Sequence, residues 1–319
     1  MLLKSDRRRW ALAGIAALAA IGTCVAPYAS ADEGGDKART QKKAAALEEV
    51  WRADFDGDAG SLPSGDDWII DKGHSYPGGP DNWGTGEIQE YTDSTDNIQL
   101  DGDGHLKITA LKSGDNWTSS RIETKRTDFA APEGGKMRIE AGLKLPDVSG
   151  DEALGYWPAF WTLGDEYRGN YQNWPGVGEF DIMENVNGQN TTHGVLHCGV
   201  NPGGPCAETQ GIGESHECSG DCKSDFHEYA IELDRSGETE ELRWYVDGEQ
   251  FHSVKESDMD AKTWSDATGH GHFVLLNLAM GGAFPDGVAG SQTPTGATKP
   301  GGSLTVDYVS VESTGGASK

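Results

Sequence analysis

The sequence breaks into short segments in which apolar and polar residues alternate, each bounded by Gly, Asp, Asn or Pro. Clear examples are "HLKITAL", "KMRIEAGLKL", "EYAIELD", "LRWYVDG" and "SLTVDYVSVE". A period of two places the apolar side chains on one face of a strand, and the bounding residues favour turns. No long segment carries an apolar stripe with the helical period. With 45 glycines, the pattern predicts an all-β sandwich that forms one domain over residues 50–312.

The N-terminal residues have the pattern of an export signal. A basic start, "MLLKSDRRRW", precedes a short apolar run and the small residues "ASA", which predicts a signal peptide over residues 1–31. The apolar run is too short and too rich in Gly and Ala for a membrane span. "DRRRWAL" fits a twin-arginine signal as well as an ordinary secretory one, so both routes stay open. We expect a secreted, extracellular protein with a disordered leader over residues 32–49 and a free tail over residues 313–319.

The chain is strongly acidic. Without residues 1–31 it carries 22 basic and 51 acidic side chains, a net charge of −29. Nucleic acids and anionic membranes bind basic surfaces, so neither is expected as a partner. A need for high solubility would by itself also explain this negative charge.

Four cysteines remain after the signal: Cys198, Cys206, Cys218 and Cys222. In an exported chain they indicate two disulfides, for which three connectivities exist. We favour the two pairings that are local in sequence, 198–206 and 218–222. A zinc site is the weaker alternative, since "CSGDC" has three intervening residues and no CxxC partner nearby.

The segment "GEFDIMENVNG" places three acids within six positions. Glu179 and Asp181 share one face of a strand, whereas Glu184 falls on the other face of a regular strand. A β-bulge near Ile182–Met183 would return all three acids to one face. Repulsion among them separates their pKa values, as hydrolysis of a sugar bond requires. We therefore predict Glu179 as nucleophile, Glu184 as acid/base and Asp181 as the helper of Glu179, with a calcium site or a solvated strand face as alternatives.

Tryptophans are concentrated just before the acids. "GYWPAFWTLGDEYRGNYQNWPGVGEF" contains Trp157, Trp161 and Trp174, and aromatic faces stack on the C–H faces of sugar rings. Trp157 and Trp161 also fit the interior of a sandwich, whereas Trp174, in a loop beside Pro175, is the better candidate for a sugar contact.

These motifs resemble glycoside hydrolase family 16, which contains laminarinases and β-1,3(4)-glucanases. The resemblance is carried by "GEFDIMEN", "GYWPAFWTLG", "HGVLHCG", "LNLAMGG" and "LTVDYVSVE", and it extends from about Trp51 to Glu312. It implies a concanavalin A-like β-jelly roll of two curved antiparallel sheets with an open cleft. It also implies endo-acting, retaining hydrolysis in which the three acids have the roles given above.

The resemblance implies further sugar-binding positions. Trp157 and Trp161 match tryptophans of the cleft, Asn97 and Arg121 match polar residues on the glycone side, and His197 matches a histidine near the leaving group. Asn97 also fits a turn, Arg121 a surface salt bridge and His197 a buried structural histidine.

Two further features concern specificity and metal binding. Laminarinase-like members often read "GGNWPG", where this chain reads "GGAFPDG" and has Phe284 in place of Trp. The cysteine-rich stretch is expected to form a stapled loop that borders the cleft. The family often holds a structural calcium, and the matching regions suggest Asp54 and Asp307 as ligands; catalysis itself needs no cofactor.

The sequence therefore predicts a monomeric, secreted endo-β-1,3-glucanase that binds a β-glucan polysaccharide and acts by double displacement. Mixed-linkage β-1,3-1,4-glucan and β-1,3-galactan are alternative substrates, and transglycosylation is an alternative outcome. A non-catalytic, lectin-like glucan-binding protein and a structural wall protein are the rival classes. The three acids disfavour the first, and the cluster of tryptophans and acids disfavours the second.

Overall fold

The structure, a computed structural model, describes residues 46–315 of the chain. The predicted signal peptide lies outside the described residues, as do most of the leader and the last four residues of the tail. Two predicted boundaries change. The first strand begins at Glu48 and the last ends at Ser313, and these two residues pair with each other. The domain is thus slightly wider than predicted, because its ends close onto one another as neighbouring strands.

The described residues form strands and two short α-helices. The strands are β1 (Glu48–Ala53), β2 (Trp68–Asp71), β3 (Glu90–Tyr91), β4 (Ile98–Leu100), β5 (Leu106–Thr109), β6 (Leu111–Ser113), β7 (Asn116–Ser119), β8 (Arg121–Thr124), β9 (Lys136–Lys144), β10 (Tyr156–Gly164), β11 (Glu179–Glu184), β12 (Thr191–His197), β13 (Ile212–Glu217), β14 (His227–Asp234), β15 (Glu241–Val246), β16 (Glu249–Lys255), β17 (His272–Met280) and β18 (Ser303–Ser313). The helices are α1 (Ala261–Thr268) and α2 (Ala283–Ala289). Within residues 46–315 neither helix has the length and apolarity needed to cross a membrane.

Two large antiparallel sheets make up the sandwich. The first has the order β16-β15-β14-β9-β18-β5-β4, with β1 also paired to β18. The second has the order β13-β12-β11-β10-β17-β8-β2. A small third sheet has the order β3-β7-β6. About half of the neighbouring pairs in the large sheets join strands that are distant in sequence, as in a jelly roll, and the predicted all-β fold class is confirmed.

The main core lies between the two large sheets. Alternate residues of each sheet point into it; Ile139 and Ile231 of the first sheet and Phe160 and Leu276 of the second are fully buried. Burying each side chain of this size contributes roughly 1.5–3 kcal/mol. The alternation read from the sequence is therefore the division between core and outer faces.

The opposite face of the second sheet is covered only in part. A second apolar cluster lies there, formed by Tyr76, Trp83, Tyr91, Leu163, Tyr167, Val177, Phe273 and Leu275. Several of these residues come from the segments 73–91 and 165–178, which connect strands and cross this face. The strands that they leave uncovered carry the acids described next.

Both predicted disulfides are present. Cys198 pairs with Cys206 and Cys218 pairs with Cys222, which confirms the sequence-local pairing. The first disulfide closes the loop between β12 and β13. That loop borders the same open face, since its Asn201 lines the cavity there.

Candidate active site

Strand β11 carries the three predicted acids and is interrupted by a bulge. Asp181 pairs with Trp161 of β10, and Met183 pairs with Phe160, so Ile182 is the extra residue between them. Ile182 and Met183 are both fully buried in the main core. Two consecutive residues therefore face the core, and the predicted bulge at this place is confirmed.

The bulge brings the three acids onto one face. Their partners on β10 are alternate residues of a regular strand, which share a face: Glu184 pairs with Ala159, Asp181 with Trp161 and Glu179 with Leu163. The strand can begin at Glu179 because Gly178 has a φ of 79° and lies against α1, where an added Cβ would be 2.4 Å from the carbonyl oxygen of Ala267. Glycine is the residue that meets both conditions.

The acids open into a cavity of about 340 Å³. Seven of the predicted site residues line it, namely Arg121, Trp157, Trp161, Trp174, Glu179, Asp181 and Glu184. They come from β8, β10, β11 and the loop before β11. A cavity of this size, with aromatic walls and converging carboxyl groups, suits a small number of sugar units.

Two of the three tryptophans donate hydrogen bonds to the acids, and all three line the cavity. The indole N–H of Trp157 donates to Oε1 of Glu184 at 2.8 Å, and that of Trp174 donates to Oε2 of Glu179 at 3.1 Å. The indole N–H of Trp161 donates instead to Oδ1 of Asn277 at 2.7 Å. Each ring is thus fixed by its polar edge, and all three remain partly exposed.

Burial dominates the protonation of the two glutamates. It raises the pKa of Glu184 to about 8, with the charge of Asp181 adding to the effect and the hydrogen bond from Trp157 opposing it. Burial and Asp181 also raise the pKa of Glu179 well above its usual range, whereas the cations His197 and Arg121 both act to lower it. The cluster therefore retains at least one proton at neutral pH.

His197 lies beside the acids but does not line the cavity. Its Nε2 is 3.3 Å from Oδ2 of Asp181, and its Nδ1 is 2.8 Å from Oε2 of Glu208. Burial lowers the pKa of His197, but the contact with Asp181 and the hydrogen bond with Glu208 outweigh it and raise the pKa to about 11. His197 pairs with Glu179 across the sheet, and His193 is the residue opposite Glu184. The predicted sugar contact on the leaving-group side is therefore not supported, because both ring nitrogens of His197 face carboxylates.

Arg121 is a buried member of the cavity wall rather than a surface ion pair. Its guanidinium packs against the rings of Trp83, Trp161 and Tyr76, at 4.5, 4.8 and 5.1 Å from their centroids. Nε donates to Asp71 at 3.1 Å, and Nη2 donates to the hydroxyl of Tyr76 at 2.9 Å. This places a permanent positive charge at one end of the cavity.

Asn97 has a different role from the predicted one. It does not line the cavity, and its amide nitrogen donates to the carbonyl oxygen of Thr109 and the hydroxyl of Thr118. Its Oδ1 accepts a hydrogen bond from the hydroxyl of Thr92. The amide group of Asn97 therefore uses its hydrogen bonds to hold a turn, as the alternative interpretation of this residue predicted.

Phe284 lies at the edge of the site. It stands on α2, with its ring 5.8 Å from that of Trp157 and 5.1 Å from that of His193, both nearly perpendicular. The residue is not part of the cavity lining, so any contact with substrate lies beyond Trp157.

The cluster of Glu179, Asp181 and His197 does not favour a metal ion. Among the described residues, ligand atoms of Glu179, Asp181 and His197 lie within 4.8 Å of one another. A ring with both nitrogens facing carboxylates is most favourable as an imidazolium, however, and that form has no free lone pair for a metal. Asp54 forms an ion pair with Arg52, and Asp307 is exposed on β18. Structural calcium at these two aspartates stays a prediction.

The sequence interpretation missed several cavity residues. Tyr76, Trp83, Tyr171 and Asn277 line the cavity, and Tyr76 stacks on Tyr171 with centroids 4.3 Å apart. The available signal was the stretch "YPGGPDNWG", in which two large aromatics occur in a loop rich in Gly and Pro. Asn277 gave none, since it lies in the apolar run "FVLLNLAM".

Fold and site together define a jelly-roll glycoside hydrolase. Residues 142–230 match the family described as "XgeA-like, catalytic GH16 domain". The β-glucanase of Rhodothermus marinus is 31% identical over 84% of this chain and 86% of its own. The chain belongs to glycoside hydrolase family 16.

Other relatives are similar over most of this chain. The crystal structure of an endo-1,3-β-glucanase from Streptomyces sioyaensis has a TM-score of 0.81 and 53% identity, covering 89% of this chain and 99% of that one. The glucan endo-1,3-β-glucosidase A1 of Niallia circulans is 29% identical over 85% of this chain. This chain spans 39% of that longer protein.

Proposed function

We propose that this protein is a secreted endo-β-1,3-glucanase that cleaves internal bonds of β-1,3-glucan and retains the anomeric configuration. The observation that carries the proposal is the bulge of β11, which aims Glu179, Asp181 and Glu184 into a cavity walled by tryptophans. The endo-1,3-β-glucanase of Streptomyces sioyaensis, with 53% identity, supports the linkage. The two disulfides support an extracellular location.

The surroundings of the two glutamates support different roles. Glu184, with a pKa of about 8, holds a proton at neutral pH and is suited to be the acid. Glu179 receives the indole N–H of Trp174 and is the glutamate on which both His197 and Arg121 act. The donor and the two positive charges oppose the burial that raises the pKa of Glu179, so of the two glutamates Glu179 is the better suited to be the nucleophile.

The reaction takes two displacements. The carboxylate of Glu179 attacks the anomeric carbon while Glu184 transfers its proton to the departing glycosidic oxygen, which leaves a glycosyl-enzyme ester. The carboxylate of Glu184 then takes a proton from water as that water attacks the anomeric carbon. The ester bond breaks, Glu179 is freed, and Glu184 regains its proton. An acceptor sugar in place of water yields transglycosylation.

The test is reducing-sugar release from laminarin, lichenan and β-1,3-galactan by the purified protein. We expect release mainly from laminarin, with the first product in the β configuration by proton NMR. Glu179→Gln should abolish turnover at an unchanged melting temperature. Release mainly from lichenan or galactan would assign another substrate, and binding without release would favour the lectin-like alternative.

A further inference from the structure

Glu208 is a fully buried acid of the loop between β12 and β13, just outside the ring that the Cys198–Cys206 disulfide closes. It lies two residues after Cys206, and its side chain has no exposed surface. Its backbone pairs with Gly203 in both directions, at 2.6 and 2.7 Å. A buried carboxylate is costly unless its oxygens are satisfied, so its partners indicate what it does.

Both oxygens of Glu208 accept hydrogen bonds. Oε1 accepts the backbone N–H of Cys198 at 2.9 Å, and Oε2 accepts from Nδ1 of His197 at 2.8 Å. A carboxylate is an acceptor only, so Nδ1 of His197 must carry a hydrogen. The loop thus fixes one side of the imidazole ring.

The other side of the ring faces the catalytic cluster. Nε2 of His197 is 3.3 Å from Oδ2 of Asp181, and that oxygen is buried with no well-aligned donor of its own. A ring placed between two carboxylates is most favourable when both nitrogens carry hydrogens. The groups that face His197 are Glu179 and Asp181 from β11, Glu208 from the loop, and the ring of Trp174, 5.6 Å away.

We propose that Glu208 is a positioning residue that keeps His197 protonated and aimed at Asp181, and that the imidazolium in turn favours the ionised form of the nucleophile. The inference rests on the proposed function for the role of Glu179. The charge state of His197 does not depend on it and is measured separately. Without the charge of Glu208, only Glu179 and Asp181 remain as acids facing the ring, and the ring no longer holds its proton as firmly.

The physical effect has a definite sign. An opposite charge within hydrogen-bonding distance changes a pKa by about 1–3 units, so removing Glu208 lowers the pKa of His197 by that amount. Because the pKa starts at about 11, the ring stays charged through the acidic limb, but a ring that Glu208 no longer fixes at Nδ1 is held less firmly beside Asp181 and opposes the effect of burial on Glu179 less. The pKa of Glu179 then rises, and the acidic limb of activity moves to higher pH.

The test compares Glu208→Gln with Glu217→Gln, a control at an exposed residue of β13. Glu208→Gln keeps the size of the side chain and removes only its charge. The first readout is the titration midpoint of His197 by ¹⁵N NMR of histidine-labelled protein, assigned by comparison with His197→Gln. The second is the pH dependence of kcat/KM on laminarin.

We expect Glu208→Gln to lower the midpoint of His197 by about 1–3 pH units and to raise the acidic limb by about one unit, with no change for Glu217→Gln. An unchanged titration midpoint of His197 in Glu208→Gln overturns the proposal. So does an acidic limb of kcat/KM that shifts equally in Glu208→Gln and Glu217→Gln. If Glu208→Gln fails to fold, the wild-type titration still decides, since an ordinary midpoint for His197 overturns the proposal. An inactive wild type with a raised midpoint refutes the glucanase function alone.

Discussion

Replacing Trp244 by phenylalanine tests how the bulge of β11 is held. Trp244 belongs to β15 of the first sheet, is fully buried, and donates its indole N–H across the core to the carbonyl oxygen of Asp181 at 2.8 Å. Gly194 makes room for the indole, since an added Cβ there would lie 2.5 Å from it. The catalytic strand is therefore supported from the opposite sheet at the residue where its alternation breaks.

The magnitude follows from what phenylalanine removes. An unsatisfied buried carbonyl costs about 1–3 kcal/mol, and the smaller ring adds roughly 1–2 kcal/mol of lost packing. The sum of about 2–5 kcal/mol is a large part of a typical free energy of unfolding. It corresponds to a fall in melting temperature of about 5–15 °C for a domain of this size. Because the carbonyl belongs to Asp181, we also expect kcat/KM on laminarin to fall at least about tenfold.

Trp264→Phe is the matched control. Trp264 is also buried, and its indole N–H donates to Glu240 at 2.8 Å, but neither residue lines the cavity. Both variants should lose comparable stability, measured by thermal unfolding, and only Trp244→Phe should lose activity at a temperature where both are folded. Equal kcat/KM values in the two variants would refute the reasoning, because the loss would then reflect general destabilisation.

Two further predictions concern protonation and the stapled loop. Trp157→Phe removes a hydrogen bond that favours ionised Glu184, so the pKa of Glu184 should rise. The alkaline limb of the pH profile of kcat/KM, expected near pH 8 in the wild type, should then move up by about one pH unit. A downward shift of this limb would contradict the prediction. Replacing Cys198 and Cys206 by serine opens a loop of eight residues and should cost about 2–3 kcal/mol in urea unfolding. It should also raise the acidic limb as in Glu208→Gln, and lost stability with an unmoved limb would show that the disulfide does not position Glu208.

The fold and the catalytic strand were predictable because their signals are local. Alternation along each segment predicts which face of a strand is buried, whatever its partners are. The break in alternation between Asp181 and Glu184 predicted the bulge, since one extra residue there returns Glu184 to the face of Glu179 and Asp181. The pairing of Cys218 with Cys222 followed from their closeness in the chain. In each case the residues that decide the outcome lie within a few positions of each other.

Other assignments depended on partners that are far apart in sequence. Arg121 is part of the cavity wall because Asp71, 50 residues earlier, lies on the neighbouring strand. Asn97 is structural because Thr118 meets its amide from 21 residues away. His197 serves the acids because Glu208 reaches it from within the loop. The type of a side chain tells which hydrogen bonds it can form. Which partner it forms them with depends on the order of the strands and on how the loops close. Only the packed chain decides those, because they are set by the joint burial of all the strands.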